Sequence, residues 1–305
     1  MSVTPAYRGM VNSWEVDEMG HMNVRFYVQK SLQATAHFLA ETGLGPDYRR
    51  EHQLGVRIMD HHIRFLKEAR PGTPLTIMTG ALGADGSGML LYHEVRHGLT
   101  GDVCATLTGT VVLTEGLGDT PHTLPEEAAQ KARSHACDLP DYAQARGIDV
   151  PGPTLIPNWG RADEMGLFEI SKLEVRPNML DPDGALSAEH FIGSVSDGIP
   201  NMISQFAVNR ADSLRDGVGG AALEYRLFYF RRLFAGELIT VRSGLSDIGN
   251  KTFHHIHWMF DQNRQPVASV AAVAVSFDLK ERKAIPFSPE ARAAFEKLLV
   301  PGLSL

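Results

Sequence analysis

The sequence predicts an α+β protein made of two copies of one unit, each a long central helix wrapped by an antiparallel sheet. Three observations predict it. After Asn23, apolar or small residues recur at Val24, Tyr27, Val28, Ser31, Leu32, Thr35, Phe38 and Leu39, the spacing of a helix with one buried face. Four strand-like runs follow, at 55–67, 74–82, 89–97 and 103–113, broken by Gly- and Asp-containing turns as in an antiparallel sheet. The same order then returns 164 positions later without a gap: Asp17 falls on Asp181, Gly20 on Gly184, Gly72 on Gly236, Thr76 on Thr240, Val103 on Val267 and Pro125 on Pro289.

Taken in order, residues 6–14 suit a strand leading into Asp17-Glu18-Met19-Gly20-His21-Met22-Asn23. Asn23 is a good N-cap and Gly43 a good C-terminal stop for the helix between them. Pro125 opens a shorter helix over 126–136, at a position where proline is tolerated. The expected organisation is a first unit at 1–137, a Pro- and Gly-rich linker at 138–167 and a second unit at 168–305.

The bulk composition narrows the function classes. With 43% hydrophobic and 21% charged residues, the 305-residue chain reads as soluble and globular. A formal charge of −7 argues against a general nucleic-acid surface. No apolar run of membrane-spanning length and no signal-like start occur, which places the protein in the cytoplasm. Cys104 and Cys137 are too few for a disulfide framework. His255 and His257 share one face of a strand, but two imidazoles do not make a tetrahedral zinc site. No phosphate loop, dinucleotide fingerprint or nucleophile elbow is found, so no cofactor or metal is expected.

The chemistry is expected at the 17–23 stretch. A carboxylate and an imidazole arrive there at the positive end of a long helix, whose first N–H groups lack intrahelical partners and can hold an oxyanion. The pattern Asp-x-x-Gly-His-x-Asn, the aromatic pair Phe26-Tyr27, the long helix and the later Ala69-Arg70-Pro71-Gly72-Thr73 turn resemble the hotdog-fold acyl-CoA thioesterases of the 4-hydroxybenzoyl-CoA thioesterase-like group. That resemblance covers almost the whole chain, once per repeat. It implies a tandem hotdog whose units pair side by side, an acyl-CoA or acyl carrier protein thioester as substrate, and Asp17 as the catalytic carboxylate. The oxyanion would then be met by backbone N–H groups near Asn23 and Val24.

A thiol leaves as thiolate with a pKa near ~8.5, so no strong general acid is required. An Asp beside a helix N-terminus supplies the remaining needs, a base or nucleophile and an oxyanion site. On this reading the catalytic set is Asp17, His21 and Asn23, with Gly20, Val24 and Tyr27 on the substrate side. Arg64 and Lys67, with Arg70, are the cations placed to receive coenzyme A phosphates. Asn23 and Asp17 also suit simple helix capping, and Tyr27 suits the core. The second repeat keeps Asp181 and Gly184 but has Ala185 and Ser187 where the first has His21 and Asn23, and it adds Glu189, His190 and Asp197. The resemblance extends to thioesterases of carnitine and betaine degradation. In that case Trp14, Trp159 and Trp258 are candidates to cage a quaternary ammonium.

Overall fold

The computed structural model describes residues 3–206, 215 and 217–305. The chain forms two compact units, one of Met1–Ala145 with Leu180–Glu189 and one of Arg146–Met179 with His190–Leu305. Residues 138–167 are thus divided between the units and carry a 3-10 turn at Asp141–Ala143 and a short helix at Trp159–Glu164. No helix among the described residues is long and apolar enough to cross a membrane.

In the first unit β1 (Thr4–Met10) leads through a 3-10 turn (Ser13–Glu15) to α1 (Val24–Glu41). The helix starts where the sequence predicts, with Asn23 Oδ1 accepting the Arg25 N–H at 3.0 Å. It stops at Gly43, whose φ of +92° is a left-handed conformation that glycine adopts without a Cβ penalty. Then come α2 (Pro46–Glu51), β2 (Leu54–Ile58), β3 (Asp60–Phe65), β4 (Pro74–Asp85), β5 (Gly88–His97), β6 (Val103–Glu115), β7 (Pro121–His122) and α3 (Glu126–Ser134). The strands pair antiparallel in the order β1-β4-β5-β6-β3, with β2 and β7 also on β6.

The single strand expected over 55–67 is two. Both β2 and β3 pair with β6, and the step between them falls at Met59, whose N–H reaches the Thr110 carbonyl at 2.9 Å. The partner strand carries Gly109 at this step, where a Cβ would lie 2.9 Å from the Asp60 carbonyl oxygen. The close backbone approach is a tertiary fact that the run of residues 55–67 does not encode. Phe38 and Leu39 of α1, Met89, Leu91 and Leu113 of the sheet and Ala129 and Ala132 of α3 form one buried cluster. Each large side chain among them contributes ~1.5–3 kcal/mol by leaving water.

The second unit contains α4 (Trp159–Glu164), β8 (Phe168–Glu174), most of α5 (Glu189–Ile203), β9 (Val218–Tyr229), β10 (Leu238–Ile248), β11 (Thr252–Asp261), β12 (Pro266–Asp278), β13 (Lys283–Ala284) and α6 (Pro289–Glu296). Its strands pair β8-β10-β11-β12-β9, with β13 on β12, the same topology as the first unit. Strands β8, β10 and β11 each begin 164 positions after β1, β4 and β5, so the gapless repeat read from the sequence is a repeat of elements.

One core feature is duplicated with a difference. In the first unit Thr79 Oγ1 lies 2.9 Å from His93 Nδ1, and Thr35 Oγ1 of α1 lies 3.1 Å from His93 Nε2. The Thr35 hydroxyl already donates to the Ser31 carbonyl, so it accepts from Nε2–H and Thr79 donates to Nδ1. In the second unit Ser243 Oγ meets His257 Nδ1 at 2.7 Å, while Nε2 finds no partner among the described residues. Ile199 stands where Thr35 stands in the first repeat.

Burial holds both rings at a pKa of about 3, far below the ordinary 6.5, with the His61 ring adding to the effect at His93. An unfolded histidine takes up a proton near 6.5 that these folded sites refuse, so stability is lost as pH falls from about 6.5 towards 3. Each ring is expected to remove up to ~1.4 kcal/mol per pH unit in that window. Urea midpoints measured between pH 7 and 4 should fall less steeply in a His93→Gln/His257→Gln variant. Identical slopes would show that other groups govern the acid limb.

Candidate active site

The stretch from Asp17 to Asn23 is a tight loop joining the 3-10 turn to α1. The Asp17 N–H donates to the His21 carbonyl at 3.1 Å and the Gly20 N–H returns to the Asp17 carbonyl at 3.0 Å. Gly20 has a φ of +75°, which explains glycine at this place in the motif. Asp17 Oδ1 accepts the Met19 N–H at 2.9 Å, and Oδ2 lies 3.3 Å from His21 Nδ1. Both side chains are about one-fifth exposed (18% for His21, 21% for Asp17), so the pair is held yet reachable. The imidazole presents Nδ1 to the carboxylate, which orients the ring.

At the helix start the amides are not equivalent. The Asn23 N–H donates to the Glu15 carbonyl at 2.9 Å, and the Arg25 N–H is taken by the Asn23 side chain. Of the two amides that the resemblance implies, Asn23 is therefore engaged, and the Val24 N–H is the one without a partner among the described residues. Asn23 itself acts as the cap. Tyr27, one turn further on, is 3% exposed and packs edge-on against Phe65 at 5.2 Å. Its burial, with Cys104, Glu68 and Asp17 as nearby acids, raises the hydroxyl pKa above the ordinary 10, so it stays protonated.

The cations expected at the strand end separate. Arg64 is buried, and its Nη1 donates to the Gln144 carbonyl. Lys67 is exposed and pairs with Asp102 at 2.6 Å, and Arg70 is exposed beside Glu68. Strand alternation allows either facing for Arg64, and only the path of residues 141–145 decides it.

The second loop repeats the backbone and changes the chemistry. The Asp181 N–H donates to the Ala185 carbonyl at 2.7 Å and Gly184 has a φ of +81°, as in the first loop. Asp181 Oδ1, however, accepts two amides, from Asp183 at 2.9 Å and Ala185 at 3.0 Å. Ser187, which stands where Asn23 caps α1, donates its hydroxyl to the Glu189 carboxylate, both side chains being buried. His190 is buried and Asp197 exposed.

The tryptophans do not make a cage. Trp258 is fully buried, with Nε1 donating to the Ser304 carbonyl at 3.2 Å. Trp159 packs edge-on against Phe260, and its ring already carries the Arg242 and Arg264 guanidinium groups at 5.2 and 5.0 Å. Trp14, three residues before Asp17, is 74% exposed. The choice between a core ring and a ligand-facing ring rests on tertiary packing that composition does not show.

The family model of the thioesterase-like superfamily matches the chain twice, over residues 11–132 and 175–295. The chain belongs to that superfamily. The two matches begin 164 positions apart, the shift of the internal repeat. Over 87 residues the chain is 36% identical to an L-carnitine dehydrogenase/betainyl-CoA thioesterase from Agrobacterium fabrum, a stretch that covers 28% of this chain and only 18% of that protein. In three dimensions the chain is similar to a putative oleoyl thioesterase from Lactobacillus plantarum, with a TM-score of 0.70 at 13% identity over 89% of this chain and 96% of the other. It is also similar to the 12:0-ACP thioesterase from Umbellularia californica, with a TM-score of 0.66 at 15% identity over 90% and 94%. These likenesses establish a tandem hotdog fold, as the sequence predicts.

Proposed function

We propose that the protein is a thioesterase that hydrolyses an acyl-CoA, or an acyl carrier protein thioester, to free acid and thiol at the Asp17 loop. The observation that carries this reading is the Asp17–His21 pair in the loop that leads into α1, whose Val24 N–H has no partner among the described residues. The Asp17 carboxylate takes a proton from a water that attacks the carbonyl carbon, or attacks that carbon itself. Either route places negative charge on the thioester oxygen, where the Val24 N–H and the positive helix end stabilise it. The C–S bond then breaks and the thiolate leaves without a strong acid; on the nucleophilic route water then hydrolyses the acyl–Asp17 anhydride, which yields the free acid and returns the carboxylate. His21 orients the carboxylate, Gly20 and Tyr27 shape the substrate side, and Lys67 exchanges its Asp102 contact for a coenzyme A phosphate. Arg64, facing Gln144, serves the fold on this reading.

The test is thiol release, followed with a thiol-reactive dye, over saturated, unsaturated and aromatic acyl-CoA esters, betainyl-CoA and acyl carrier protein thioesters. Turnover is expected on at least one class. Hydration of an enoyl-CoA without thiol release would identify a hydratase instead. Saturable binding with no turnover on any member would identify a binding module.

A further inference from the structure

The first unit buries an ion pair that nothing above uses. Lys30, in the second turn of α1, is 3% exposed, and its Nζ lies 2.8 Å from Glu15 Oε1. It also lies 3.4 Å from the Tyr7 hydroxyl. Every polar group of Glu15 is engaged: Oε2 accepts the Asn12 N–H at 2.9 Å, the N–H donates to the Asn12 carbonyl at 3.1 Å, and the carbonyl accepts the Asn23 N–H at 2.9 Å. One residue thus ties the end of β1, the first amide of the helix cap and the helix body together. Residues 16–22, with Asp17 and His21, are the loop strung between those anchor points.

Two buried charges lose their hydration, so a pair of this kind is seldom kept for stability alone. The repeat supplies a control inside the same molecule. The positions 164 residues later are Ser171, Met179 and Ser194 in place of Tyr7, Glu15 and Lys30, so these positions of the second repeat cannot form such a pair. Its loop nonetheless makes the same turn, with the Asp181 N–H on the Ala185 carbonyl and the Gly184 N–H on the Asp181 carbonyl. The backbone turn therefore forms without counterparts of Glu15 and Lys30 behind it. The pair occurs in the copy that has the imidazole and is missing from the copy that lacks it.

We infer that Lys30 and Glu15 are positioning residues for the reaction at Asp17. The pair fixes the 16–22 loop on α1 so that the Asp17 carboxylate and the Val24 N–H keep one relative placement. The inference rests on the thioesterase reading for its kinetic arm only; its structural arm stands alone.

The test uses the full chain with Glu15→Gln/Lys30→Met, which removes both charges, leaves no single buried ion and keeps an acceptor for the Asn12 N–H. Against the best substrate, kcat is expected to fall about 10- to 100-fold with KM within about 3-fold, because a loosened group loses alignment more than binding. Independently of any substrate, amide hydrogen exchange at Asp17, Gly20, Met22 and Asn23 should rise about 10-fold or more, with the amides of Asp181, Asp183, Gly184 and Ala185 unchanged as internal reference. Unchanged exchange at 17–23 overturns the inference, whatever the kinetics. Loss of the cooperative unfolding transition also overturns it, since the pair would then be a general stabiliser. Faster exchange at 17–23 in a protein that releases no thiol from any thioester would keep the positioning role and remove the thioesterase reading.

Discussion

Asp17→Asn is expected to lower kcat for thiol release by about 10²–10⁴-fold, the range for loss of a positioned base or nucleophile. The fold should survive. Asparagine keeps an oxygen for the Met19 N–H, which Asp17 Oδ1 now accepts at 2.9 Å, so the melting temperature should move little. What the substitution removes is the charge on Oδ2, the oxygen that faces His21 at 3.3 Å. Asp181→Asn is the matched control. The Asp181 oxygen that is seen at work accepts two amides of its own loop, a duty that asparagine can also perform, and no imidazole stands at position 185. Its expected cost is small, comparable to the ~0.3–1 kcal/mol of helix-end electrostatics, with activity within about 3-fold of wild type. Equal losses from the two substitutions, or activity retained by Asp17→Asn, would place the reacting group elsewhere.

Trp258→Ala should have the largest effect on stability, ~3–5 kcal/mol. The side chain is fully buried in a cluster with Phe260, Ile256, Leu303 and Leu305, so truncation leaves a cavity and also strips the Ser304 carbonyl of its donor. Urea unfolding followed by near-ultraviolet circular dichroism measures it. The same variant decides between core and cage. A core residue lowers stability and leaves the ratio of turnover on betainyl-CoA to turnover on a neutral acyl-CoA unchanged. A selective rise in KM for the quaternary ammonium ester would return Trp258 to the ligand.

Legibility in the sequence followed the range of the interactions involved. The α1 helix, its Asn23 cap, the glycine at position 20 and the proximity of Asp17 to His21 are set by residues within a few positions of one another, and they could be read directly. The tandem architecture was legible because duplication writes the same turns twice. Facts that depend on distant partners were not. Arg64 reads as a free cation at a strand end until the Gln144 carbonyl, 80 residues away, accepts its Nη1–H. Lys30 reads as a solvated helix position, since lysine in a helix is usually exposed; its burial depends on Glu15 and Tyr7 arriving from β1 and the turn after it. The competition for the Asn23 amide was equally hidden, because backbone acceptors leave no mark on composition.

The second loop has gained a contact of its own. Asp183, standing where the first repeat has Met19, accepts the Val56 N–H at 2.6 Å and lies 3.4 Å from Arg49 Nη1. Residues 180–189 accordingly belong with the first unit although the repeat assigns them to the second. The halves of this gene product are thus no longer interchangeable cassettes. A chimera that joins one half to the matching half of a relative will carry Asp183 and its two donors from different parents unless the recombination boundaries move 49–56 and 180–189 together. The repeat symmetry gives way to interdependence at one carboxylate, and any attempt to make the second loop match the first has to replace residue 183 as well as place an imidazole at position 185.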